Sequence, residues 1–103
     1  MWLMSITKSD RPEKRLKAVF CKCEKKNSCR GTNHKTIHFG QKGGSTYIDH
    51  KDEDKRKAYI ARHKVREDFN DPDTAGSLAR WILWGHFTTL SKNIQYYKKK
   101  FGL

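Results

Sequence analysis

The sequence predicts an α+β fold: a three-stranded antiparallel sheet followed by three helices packed on one of its faces. Three observations carry that expectation. Apolar residues alternate with a period of two through residues 14–20 and 35–39. From Asp49 onward the spacing becomes helical. Acidic residues (Asp49, Asp52, Glu53, Asp54) crowd the start of the first helical stretch and basic ones (Arg62, His63, Lys64, Arg66) its end, as a helix macrodipole favours.

Each element has its own signal. Residues 1–13 read as an N-terminal arm, polar after Met1-Trp2-Leu3-Met4 and broken by Pro12, leaving 14–103 as one small domain. In the first strand Leu16, Ala18 and Phe20 share one face, and Arg15, Lys17 and Val19 the other. Residues 21–33 form a loop, and Ile37 and Phe39 point inward from the second strand. Gly40-Gln41-Lys42-Gly43-Gly44 makes a turn, and Ser45–Ile48 a short third strand. A helix then runs over residues 51–66, with a thin apolar stripe of Tyr59, Ile60 and His63 and with Val65 at its margin. Thr74 caps a second helix over Ala75–Trp84, the densest apolar patch and the expected centre of the core. The last helix begins near Ser91, with Leu90, Ile94, Tyr97 and Phe101 on one stripe and Lys98, Lys99 and Lys100 on its edge.

Charge narrows the function classes. The 103 residues hold 23 Lys+Arg against 11 Asp+Glu, a formal charge of +12. Such an excess points to a polyanionic partner: nucleic acid, an acidic membrane or an acidic protein surface. Residues 1–35 carry ten of the cations against three acids. At 35% hydrophobic residues the core is small, which disfavours a deep enzyme cleft. No apolar run reaches the ~18–20 residues of a membrane span, and the opening tetrapeptide is too short for a signal peptide. Twelve aromatic residues (three Trp, four Tyr, five Phe) argue against disorder.

Three constellations bear on chemistry. Arg15, Lys17, Lys22, Lys35 and Lys42 are expected on or beside the sheet face opposite the core, where they can meet phosphates or an acidic partner. Trp2, Leu3 and Met4 form an apolar arm suited to docking on a neighbouring chain. Cys21-x-Cys23-x5-Cys29 with His34 offers four zinc ligands, and His38 can replace His34. Their spacing departs from the C-x2–4-C pairs of zinc knuckles, so no cofactor is expected, with zinc the one alternative. An odd number of cysteines favours reduced thiols and a reducing compartment. Catalysis is not expected: His50 and His63 lie about 20 Å apart along one helix, too far to share a substrate atom.

The stretch His50-Lys51-Asp52, Lys55-Arg56-Lys57, Tyr59, Arg62-His63, Arg66-Glu67, then Thr74-Ala75-Gly76-Ser77-Leu78-Ala79-Arg80-Trp81-Ile82-Leu83-Trp84-Gly85, resembles a known group. It is similar to small basic proteins encoded by large double-stranded DNA viruses of algae and amoebae. Ile37-His38-Phe39-Gly40 and the Tyr97/Lys98 tail fit the same pattern, and loop 21–34 departs from it. The resemblance implies a viral, non-enzymatic protein located in the virion, and in the host cytoplasm during assembly. Two roles follow from it. One is a minor capsid or cement component contacting other capsid proteins or an acidic inner membrane. The alternative is a DNA-binding or packaging protein.

Overall fold

A computed structural model describes residues 1–22 and 34–103. Its elements are β1 (Trp2–Lys8), β2 (Lys14–Cys21), β3 (His34–Gln41), α1 (Tyr47–His50), α2 (Glu53–His63), α3 (Ala75–Leu78), a π-helical turn (Ala79–Leu83) and α4 (Leu90–Phe101). The strands form an antiparallel sheet in the order β1-β2-β3. The α+β class and the three-stranded sheet are as expected; which segments build them is not.

Residues 2–8, expected in an arm, form the first strand. Leu3 pairs with Phe20 and Ile6 with Ala18, so both face the helices although they are three residues apart. A register shift between Leu3 and Ser5 accommodates Met4 as a bulge and removes the period-two signal from the sequence. Segment 45–48, expected as the third strand, instead starts α1. The Asp49 carboxylate accepts from the Thr46 amide and hydroxyl, each at 2.8 Å, and this capping outweighs the strand preference of Thr46 and Ile48.

The first long helix is shorter than expected. Asp52 caps α2 by accepting from the amides of Asp54 (3.0 Å) and Lys55 (3.3 Å). Its far end stops at His63, whose carbonyl takes the amides of both Arg66 and Glu67 at 3.1 Å. Val65 therefore lies beyond the helix and is exposed. Thr74 caps α3 as expected, accepting from the Ser77 amide at 3.2 Å. Beyond Leu78 the chain widens into the π turn, closed by a hydrogen bond from the Trp84 amide to the Ala79 carbonyl at 3.0 Å. Four consecutive residues, Arg80 to Leu83, are buried there, a run that α-helical spacing cannot place on one face.

All the helices that contribute to the core do so on one face of the sheet. Leu3, Ala18, Phe20 and Phe39 from the strands meet Leu78, Trp81, Ile82, Leu83 and Tyr97 from the helices. The fully buried Asn93 ties α4 to the preceding turn. Its Nδ2 donates to the carbonyls of Ile82 and Phe87, and its Oδ1 accepts the Phe87 amide, each at 2.9 Å. Among the described residues no helix is long and apolar enough to cross a membrane.

Candidate functional site

The five cations expected on or beside one sheet face are dispersed. Arg15 donates through Nη1 (2.6 Å) and Nη2 (2.9 Å) to Asp49, holding that carboxyl well below the ordinary carboxylate range. It is a structural clamp between β2 and α1. Lys17 does lie on the open face, opposite Thr7 and His38, with Asp10 at 3.7 Å and with uncharged Ser5, Val19 and Thr36 nearby. Lys35 has the same parity as Ile37 and Phe39, so it sits at the rim of the helix-bearing face, 2.7 Å from Asp73. Lys22 and Lys42 are exposed at opposite ends of the β2–β3 pair.

The expected docking arm is likewise absorbed. Leu3 is buried in the core, Trp2 is half-buried and Met4 stands out at the bulge. Of the zinc candidates, Cys23 and Cys29 lie outside the described residues. Cys21 is buried and disulfide-bonded, which corrects the expectation of a reduced thiol at that position. His34 opens β3, and its buried Nε2 has no hydrogen-bond partner among the described residues.

What the fold does bring together is the histidine, arginine and aromatic text of residues 50–85, arranged around Trp84. The Trp84 indole stacks on Tyr59 with centroids 4.3 Å apart, Tyr59 stacks on His63 at 4.1 Å, and His50 meets the indole at 5.2 Å. His50 and His63 thus stand at the ends of one aromatic ladder, not at a common reacting point. His50 also accepts the Asp52 amide through Nδ1 at 2.9 Å, which fixes the entry to α2. Desolvation pushes the Tyr59 hydroxyl up to about 12. Beside this ladder a cleft of about 390 Å³ opens between Lys14, Thr46, His63, Glu67 and Gly76. Glu67 packs directly on Gly76, where a Cβ would come within 2.6 Å of its carboxyl carbon.

The Trp84 carbonyl gathers two arginines. Arg80 donates to it through Nη1 at 3.1 Å and Arg56 through Nε at 3.3 Å, and Arg56 Nε also reaches the Gly85 carbonyl at 2.9 Å. Arg56 is paired with Glu53 at 3.0 Å. Arg80 is different: it is only 8% exposed, yet no carboxylate pairs with it among the described residues. Its guanidinium lies 4.2 Å from the Trp81 ring centroid and 5.8 Å from that of Phe69. Burial, and then repulsion from Arg56, pushes it down to about 10.

Around the same Trp81 ring stand His86, at 6.0 Å, and the Lys100 ammonium, at 4.7 Å. Arg56 Nη2 approaches His86 Nδ1 at 3.3 Å. Partial desolvation lowers the His86 pKa below that of free imidazole, and Arg56, Arg80 and Lys100 lower it further, with only Glu53 opposing them. The region is electropositive because its sequence is: from Thr74 to Leu103 there is not one Asp or Glu, against Arg80, Lys92, Lys98, Lys99 and Lys100. Averaging residues 71–103 hides this signal, because both acids of that stretch, Asp71 and Asp73, precede Thr74.

Two comparisons place the chain among known proteins. Residues 4–63 match a family of unknown function, DUF5754. An uncharacterized protein of Acanthamoeba polyphaga mimivirus is 36% identical over 87 residues, covering 79% of this chain and 80% of the relative. The family match takes in β1 from Met4 onward, β2, β3 and α2, and loop 21–34 with them, but stops before the Arg80–Trp84 segment. No solved structure matches.

Proposed function

The chain belongs to DUF5754 and has a mimivirus relative, and on that premise we propose that it is a non-enzymatic viral protein that binds nucleic acid. The carrying observation is the acid-free surface of residues 74–103. There Lys92, Lys99 and Lys100 are exposed beside the exposed rings of His86 and Phe87 and the half-buried Tyr96. Lysines supply sequence-independent phosphate contacts, and interleaved rings give bases a stacking surface. Elsewhere four acids engage cations within the chain: Asp49 with Arg15, Asp10 with Lys17, Asp73 with Lys35 and Glu53 with Arg56. Residues 74–103 carry five cations and no acid, and none of those cations has a carboxylate partner among the described residues.

This moves the binding surface from the sheet to α4 and its preceding turn. Replacing Lys92, Lys98 and Lys99 together by Gln tests it by fluorescence anisotropy with a labelled 20-mer. The triple variant is expected to bind at least about tenfold more weakly than wild type at low salt. A Lys22→Gln/Lys42→Gln control is expected to bind within about twofold of wild type. The reverse ranking refutes the placement.

One observation favours the second reading, a minor capsid or cement component. Among the described residues β1 and β3 have no strand on their outer edges, so either can pair with a neighbouring chain. The apolar arm that first favoured this role is folded into β1 and gives it no support. In this reading the protein stays with the particle shell after nuclease and high-salt treatment; release under those conditions argues against it.

A further inference from the structure

We propose that the surface centred on His86, flanked by Arg56, Arg80 and Lys100 around the Trp81 ring, is the subsite where a phosphate of the nucleic-acid strand is held. The inference rests on the nucleic-acid reading above and names its contact point. Arginine carries five N–H donors in a rigid fork, and a buried guanidinium normally has a carboxylate or phosphate partner. Arg80 is buried, spends one donor on the Trp84 carbonyl and has no acid partner among the described residues. Aromatic rings balance part of its charge, but they accept no hydrogen bond along the fork. An oxyanion supplied from outside the chain completes it.

His86 makes the subsite sensitive to pH. The groups facing it are Arg56 and Glu53 from α2, Arg80 from the π turn, Lys100 from α4 and the Tyr96 ring at 4.8 Å. Cations outnumber acids among them, so they disfavour the imidazolium in the free protein. A bound phosphate favours its charged form, so binding takes up a proton and tightens as the pH falls.

The test is an NMR titration of the His86 imidazole in the full chain, alone and with a short oligo-dT, together with affinities between pH 8 and pH 5. Wild type is expected to show His86 titrating at higher pH in the complex. Binding is expected to strengthen about tenfold across that range, the equivalent of one pKa unit. His86→Gln, a substitution at an exposed position, is expected to fold normally and to lose most of that pH dependence, which separates His86 from the other histidines. Lys100→Gln is expected to weaken binding several-fold. If the oligonucleotide binds and His86 titrates unchanged, the subsite is refuted while the nucleic-acid reading stands. Absence of binding even at low salt refutes both. An equal His86 response to poly-glutamate transfers the surface to acidic protein and overturns the assignment.

Discussion

The indole of Trp84 lies on the ring of Tyr59 with 4.3 Å between centroids and 4° between planes. That contact joins α2 to the end of the π turn through two residues 25 positions apart in the chain. The Trp84 carbonyl is meanwhile held by Arg56 and Arg80. One residue thus organises the ladder through its ring and the arginines through its backbone.

A double-mutant cycle measures the first role. Tyr59→Leu and Trp84→Leu are each expected to destabilise the chain by about 2 kcal/mol, in line with the loss of partly buried aromatic rings. The pair is expected to couple by about 1 kcal/mol beyond burial, read from urea denaturation. Strict additivity would show that the stacked geometry contributes nothing of its own.

Gly85 is demanded by close approach. A Cβ there would lie 2.2 Å from the Trp81 carbonyl and 2.6 Å from Asn93 Oδ1. Gly85→Ala is therefore expected to cost about 3 kcal/mol, through overpacking at a point where backbone must move. Gly43→Ala, in open space at φ +82°, is expected to cost only the roughly 1–2 kcal/mol of a left-handed backbone. Equal melting temperatures for the two variants would contradict this.

The Arg15–Asp49 clamp gives stability an acid limb. Asp49 titrates below its unfolded value because Arg15, and then the Thr46 amide and hydroxyl, favour the carboxylate. Its contribution is complete above about pH 4, the ordinary Asp range, and is lost as the pH falls toward the depressed folded value. The pair is partly solvated, so Asp49→Asn is expected to cost only about 1 kcal/mol at pH 7. The variant is also expected to show a smaller fall in Tm than wild type between pH 5 and pH 2.5. Identical Tm slopes would remove the clamp from the acid response.

Much of the fold was legible because periodicity reports burial. The alternation of Leu16, Ala18 and Phe20 and the stripe Leu90, Ile94, Tyr97, Phe101 mark β2 and α4 without further information. β1 was hidden because the bulge at Met4 puts Leu3 and Ile6 on one face at odd spacing. The short helix α1 was hidden because its capping by Asp49 depends on local hydrogen bonds that compete with strand propensity. The candidate site was hidden for another reason. Arg15 and Lys35 look like free cations in sequence, and only tertiary pairing with Asp49 and Asp73 removes them. Arg80 looks like one arginine in an apolar helix, and only the fold shows it buried without an acid partner among the described residues.

The salt dependence of oligonucleotide binding by the wild-type chain tests the central claim most directly. With about four phosphates neutralised by the C-terminal cations, affinity for single-stranded DNA is expected to fall roughly 50-fold between 50 and 200 mM salt. No detectable binding at 50 mM salt, or an affinity indifferent to salt over that range, would contradict nucleic-acid binding by this surface.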